Sequence, residues 1–141
     1  MQVETILQSK GRNVVTVTAG STIAEAVDLL NAKKIGAVVV VDGKKVVGIL
    51  SERDVVRHLG QDWGALASRP VSEVMTKSVV TVSRFATVAD LMERMTERRI
   101  RHMPIVENGD LVGIVSIGDV VKRKIEETEQ EAIALKEYIA S

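Results

Sequence analysis

The feature that most constrains this chain is that it is written twice. VVTV at 14–17 returns at 79–82, which sets an offset of 65 residues. At that offset the sequence matches itself without a gap from Val14 to about Leu59. Thr22 and Ala24 return as Thr87 and Ala89, and Ile35 and Val41 return as Ile100 and Val106. VGILSERDVV returns as VGIVSIGDVV. Two copies are too few for a solenoid, which needs at least three to bury a continuous core. A pseudo-symmetric pair sharing one core is the architecture that remains.

Each copy spells out the same local structure. VVTV is β-branched and short, which predicts a strand. Thr22-x-x-Glu25 and Thr87-x-x-Asp90 are capping boxes that open a helix. Ile23, Ala26, Val27 and Leu30 share one face of the first helix; Val88, Leu91, Met92 and Met95 share one face of the second. AVVVVD at 37–42 and MPIVE at 103–107 are strands, the first apolar enough to be covered on both faces. Asp42-Gly43 and Asn108-Gly109 predict hairpin turns. VVGIL and LVGIV supply the returning strands, and helices begin at Glu52 and Ile117. The expected fold class is α+β: two β-α-β-β-α repeats packed sheet to sheet, at 1–66 and 67–127, with 128–141 extending the last helix. GQDWGALASRP reads as the connector. VSEVMT at 71–76 precedes the second copy, and VETILQ at 3–8 is its weaker echo before the first. Apolar or small residues at 121, 125, 128, 132, 135 and 139 form a stripe on the terminal helix. That stripe either packs on its own domain or makes a dimer contact.

Composition removes several classes of function. At 45% hydrophobic and 27% charged residues, the chain is globular and not disordered. Net charge is zero, which removes the general attraction to nucleic acid. Trp63, Phe85 and Tyr138 are too few aromatics for a stacking platform. Without cysteine there is no disulfide, thiolate site or thiol nucleophile. The run 35–41 is too short for a bilayer, which needs about 20 residues. MQVETILQSKGR lacks the layout of a signal peptide. The expectation is a cytoplasmic protein with no membrane or nucleic-acid partner.

The chemistry concentrates in GILSERD at 48–54 and its echo GIVSIGD at 113–119. Ser51-x-x-Asp54 and Ser116-x-x-Asp119 end a strand and start a helix. As N-caps they are each worth about 1 kcal/mol. A carboxylate can also accept from both hydroxyls of a ribose cis-diol, and a helix N-terminus favours phosphate. Both uses remain open, and they are compatible. Gly48 and Gly113 fit strand packing or close backbone approach. Arg53, Lys34, Arg98, Arg99 and Arg101 are nearby cations. The two histidines, His58 and His102, are not repeat mates, and no metal cluster is visible. Met75, Met92, Met95 and Met103 read as core. No nucleophile–base pair or P-loop appears, so no enzyme is expected.

This grammar, with G-h-h-S-x-x-D closing each hairpin (h apolar), VMT before the second copy and RIRHMPIV within it, resembles the CBS domain. Two in tandem resemble a CBS pair, or Bateman module, of the small stand-alone kind, from about Val3 to Ile125. The resemblance implies a regulatory module that binds an adenosine-containing molecule (AMP, ADP, ATP, NAD(H) or S-adenosylmethionine) in clefts between the repeats. It implies no catalytic cofactor and no metal. Ser51, Asp54, Ser116 and Asp119 would meet ribose or phosphate. The implied pocket is lined by Thr76, Val80, Ile100, Arg101, His102, Met103, Lys10, Val15, Ile35, Gly36, Ala37, Ile49 and Ile114. Gln8 is the nearest counterpart of Thr76 and is followed by Ser9, Lys10 and Gly11. Arg101 and His102 stand where the first copy has Gly36 and Ala37, so the two sites should differ in charge. A homodimer and a regulated protein partner are the expected assemblies.

Overall fold

The computed structural model describes residues 1–60 and 62–140. The first copy runs β1 (Thr16–Thr18), α2 (Ile23–Lys33), β2 (Ala37–Asp42), β3 (Lys45–Ser51) and α3 (Glu52–Arg57), after an N-terminal helix α1 (Val3–Lys10). A short α4 (Trp63–Ala67) and a 3-10 turn (Val71–Glu73) lead to the second copy. That copy runs α5 (Val88–Arg98), β4 (His102–Glu107), β5 (Asp110–Ser116) and α6 (Ile117–Ala140). The strands and helices shared by the two copies start 65 residues apart, except that β1 has no full counterpart.

Capping explains the helix starts. Thr22 accepts from the Glu25 N–H, and Glu25 reaches back to the Thr22 N–H. Thr87 accepts from the Asp90 N–H at 3.1 Å. Helices α2 and α5 both end on a cation in the left-handed region, Lys34 and Arg99, each at φ 54°. The apolar faces pack inward as expected, except that Met92 lies at the edge and is exposed. Helix α4 lies where the connector's glycines suggested only a loop. Asp62 caps it by accepting from the Ala65 N–H.

The strands form one hydrogen-bonded order, β1-β2-β3-β5-β4. Strand β1 runs parallel to β2, and the other pairs are antiparallel. The two hairpins meet at one register pair, Lys45 and Asp110, which are themselves repeat mates. Their side chains form an exposed ion pair at 2.7 Å. Both hairpins carry a bulge at the same place, Val40/Val41 and Ile105/Val106. The Asn108-Gly109 turn is as expected, with φ 52° and 82°. In the first hairpin Asp42 still pairs with Lys45, so the turn is Gly43-Lys44, one residue later than predicted. Only Gly43 of that pair has positive φ, which fits a turn needing glycine first.

The strand expected at 79–82 does not form; Val82 makes an isolated parallel bridge to Ile105. The reason is Pro104. Its mate Val39 donates its N–H to the Val15 carbonyl at 3.3 Å. Proline has no N–H, so that rung is missing in the second copy. What survives is Val82 N–H to Pro104 O at 3.2 Å and Val106 N–H to Val82 O at 2.9 Å.

In place of the single shared core expected there are two, and each is completed by exchange. Val3, Ile6 and Leu7 of α1 pack with Leu91, Met95, Met103, Ile105 and Val115 of the second copy. Val71 and Val74, which precede the second copy, pack with Ile23, Leu30, Val38, Val40 and Leu50 of the first. Gly48 and Gly113 make this possible. A Cβ on Gly48 would lie 2.4 Å from Met75 Sδ, and one on Gly113 would lie 2.7 Å from Leu7 Cδ2. Each copy is thus closed by the stretch that introduces the other. Strand β2 is covered on both faces: Val38 and Val40 belong to the first core, and Val39 is equally buried.

Candidate functional site

The two motif carboxylates are both fixed at helix starts, as the sequence predicts, but by different partners. At the first, Asp54 Oδ2 accepts from the Ser51 N–H at 2.9 Å and from the Ser51 hydroxyl at 3.1 Å. The Asp54 N–H returns to Ser51 Oγ at 3.3 Å, completing the capping box. The other oxygen, Oδ1, accepts from the Thr76 hydroxyl at 3.1 Å. Thr76 is held there by backbone bonds in both directions with Ile49, at 3.0 and 2.9 Å. Asp54 is 8% exposed, and it is the buried charged side chain among the described residues. A buried carboxylate must have its hydrogen bonds satisfied, and three donors do so here. His58 Nδ1 lies 2.8 Å from the Asp54 carbonyl oxygen, one turn on, and not at the carboxylate.

At the second, Asp119 Oδ2 accepts from the Ser116 N–H at 2.8 Å, and the Asp119 N–H returns to Ser116 Oγ at 3.2 Å. The third partner is Lys10. Its ammonium donates to Asp119 Oδ2 at 2.6 Å and to the Ile114 carbonyl at 3.0 Å. Ile114 is the repeat mate of Ile49, so Lys10 stands where Thr76 stands in the first site. Gln8 does not take that position, because α1 stays helical as far as Lys10. Burial raises the Asp119 carboxyl, but the hydrogen bonds from Lys10 and Ser116 outweigh it and hold the pKa below the ordinary value of 3.8.

The start of each middle strand is bonded to the motif helix of its own copy. The Gly36 carbonyl accepts from the Glu52 N–H at 2.9 Å, and the Arg101 carbonyl accepts from the Ile117 N–H at 2.8 Å. These bonds are again 65 residues apart. Gly36 leaves room for His102: a Cβ there would lie 3.2 Å from the imidazole Cε1. Burial lowers the His102 pKa below 6.5; Glu52 and Asp119 oppose this, while Lys10 and Arg101 add to it. His102 therefore feels charges from both motifs. Arg53 reaches the Arg99 carbonyl at 3.4 Å.

The other expected pocket residues divide by burial. Met103 is in the second core, and Ala37 is buried. Val80 and Ile100 pack against the second core, and Val15 and Ile35 against the first. Ile49 and Ile114 are half-buried beside the two carboxylates. Two surface hollows were not foreseen, one of them beginning within the second motif at Ile117 and Gly118. One, of about 410 Å³, is bounded by Ala19, Gly20, Val47 and Met75. The other, of about 550 Å³, runs along α6 beside Ile117, Val121 and Ile125. The small pair Ala19-Gly20 replaces Arg84-Phe85 of the second copy, which was the available signal for the first hollow. Among the described residues no three His, Asp or Glu side chains cluster to hold a metal, and no helix is long and apolar enough to cross a membrane.

An exchanged pair of repeats, each presenting a capped carboxylate next to the partner segment, defines a tandem two-repeat α+β module. The chain belongs to the CBS domain family: the family model matches residues 6–61 and 71–126. Among solved structures it is similar to a CBS-domain-containing protein from Agrobacterium tumefaciens, 48% identical with a TM-score of 0.84, covering 88% of this chain and 99% of that one. It is similar to the CBS domain pair of protein MJ0100, solved with 5-methylthioadenosine and S-adenosyl-L-methionine: 26% identity, TM-score 0.79, 90% and 98% covered. A third, a CBS domain protein from Pyrobaculum aerophilum complexed with AMP, is 29% identical with a TM-score of 0.74, covering 84% and 89%.

Proposed function

We propose that this chain is a non-enzymatic sensor that binds an adenosine-containing ligand at the Ser51–Asp54 and Ser116–Asp119 motifs. The observation that carries this is the Ser51–Asp54–Thr76 arrangement. A carboxylate is held in the first turn of a helix, with a hydroxyl from the other repeat's leading segment on its second oxygen. A ribose diol offers the hydroxyl donors that such a carboxylate accepts. The ligands of the two relatives, AMP in one and methylthioadenosine with S-adenosylmethionine in the other, support the ligand class. AMP, ADP, ATP, NAD(H) and S-adenosylmethionine are the candidates. Regulation follows if ligand favours one arrangement of the exchanged segments over another, since only differential affinity moves an equilibrium. The test is thermal unfolding with each candidate. A ligand at 100 times its dissociation constant should add about 2.7 kcal/mol. No rise with any candidate, together with unchanged behaviour of Asp54→Ala and Asp119→Ala, would contradict the reading.

One observation favours a second reading, an interaction module that works by pairing with its own copy. The α6 stripe does not pack on its own domain: Val121, Ile125, Leu135 and Ile139 are all exposed. On this reading the chain is a homodimer whose association ignores nucleotides. Light scattering should then show a dimer that is lost when the chain is cut after Lys124, with or without AMP.

A further inference from the structure

We infer that Lys10 is the specificity-determining residue of the second site, admitting adenosyl ligands there only when they carry a phosphate; this rests on the proposed adenosyl reading. The two motifs are matched residue for residue at serine, aspartate and the preceding isoleucine. They differ in what occupies the carboxylate. At Asp54 it is the neutral hydroxyl of Thr76, at 3.1 Å. At Asp119 it is the ammonium of Lys10, at 2.6 Å, anchored also on the Ile114 carbonyl.

The two occupants respond differently to displacement. A ribose diol that takes the Asp54 carboxylate releases a hydroxyl on an exposed threonine, which water satisfies. At Asp119 the ammonium and the Ser116 N–H share Oδ2, so a diol that bridges both carboxylate oxygens competes with Lys10 at an ion pair whose side chains are only 32% and 24% exposed. It leaves an ammonium in a region where Arg101 adds positive charge and Glu52 is the other carboxylate acting on His102. An uncharged nucleoside offers that ammonium only neutral acceptors in return, and a cationic adenosyl ligand repels it. A phosphate replaces the lost carboxylate with a stronger acceptor. The exchange is then favourable only for the anionic ligand. The first site has no such cation on its carboxylate, so it accepts the nucleoside moiety with or without phosphate. Lys10 sits at the last residue of α1, whose apolar face is locked into the second core. Its backbone is therefore fixed while its side chain can turn from carboxylate to phosphate.

The test is calorimetric titration of the full chain with adenosine, AMP and ADP, in the wild type, Lys10→Gln and Lys10→Arg. The wild type should bind AMP at one more site than adenosine. Lys10→Gln should cut the preference of that site for AMP over adenosine about tenfold, and Lys10→Arg should restore it. An unchanged AMP-to-adenosine ratio in Lys10→Gln overturns the inference, as does an equal gain for both ligands, which would make Lys10 a simple plug. If the wild type binds none of the three, this inference is overturned, and the adenosyl reading fails with it only when ATP, NADH and S-adenosylmethionine are not bound either. Binding of AMP and adenosine at equal numbers of sites leaves that reading intact and overturns only the role of Lys10.

Discussion

Replacing Leu7 and Gly113 singly and together probes the contact on which the exchanged architecture depends. Leu7 is 1% exposed and packs into the second core. Truncation to alanine removes a buried isopropyl group and should cost about 2–5 kcal/mol. Gly113→Ala places a methyl 2.7 Å from Leu7 Cδ2 and 3.1 Å from Cδ1, so the leucine or the helix must shift. Overpacking of that kind costs about 1–3 kcal/mol. Once Leu7 is alanine, the clashing atoms are gone. Gly113 has no positive φ to protect, so Gly113→Ala should then be neutral or stabilising by about 0.4–1 kcal/mol through the unfolded chain. The double variant should be less destabilised than the sum of the singles, with a coupling of about 1–3 kcal/mol. Urea unfolding followed by circular dichroism measures all four corners. Strict additivity, with Gly113→Ala equally harmful in both backgrounds, would refute the packing of α1 against β5.

Three further predictions concern the site and its frame. Thr76→Val removes the donor to Asp54 Oδ1; with Thr76 exposed, the loss should be near the lower end for such bonds, about 1 kcal/mol, read as a lower urea midpoint. Arg99→Gly relieves a left-handed non-glycine cap at φ 54° and should raise stability by up to about 1 kcal/mol, seen as a higher melting temperature. For pH, two groups act in separate windows. Burial holds His102 below 6.5, so the unfolded chain takes up its proton first and stability declines as pH falls below about 6.5. His102→Gln should remove that slope. Asp119 is depressed below 3.8, so its contribution is complete above that value and is lost on further acidification. Lys10→Gln should shrink that second loss, and melting temperatures from about pH 2 to pH 8 check both.

The repeat made most of the fold legible. Capping threonines, hairpin glycines and alternating apolar residues act locally, so each left its mark in the chain. The misses came where a distant partner decides. Pro104 deletes the donor that would have paired with Val80, so VVTV at 79–82 remains a single bridge although its β-branched residues match the first copy. Asp42 stays in its strand because Lys45 pairs with it, which moves the turn by one residue. At the candidate site, the capping bonds of Ser51, Asp54, Ser116 and Asp119 were readable from their spacing, and their contact with ligand belongs to the proposed function. Lys10 stood among the expected pocket residues, but its role opposite Asp119 was not readable. It depends on α1 remaining helical for two residues beyond Gln8, and on that helix crossing to the other repeat.

Native mass spectrometry of the purified chain tests the adenosyl reading most directly, because it reports bound mass and subunit number together. After incubation with AMP, the protein should carry one or two added AMP masses, and the combined Asp54→Ala, Asp119→Ala variant should carry none. Wild-type protein that stays bare under the same conditions with AMP, ATP, NADH and S-adenosylmethionine in turn would contradict it.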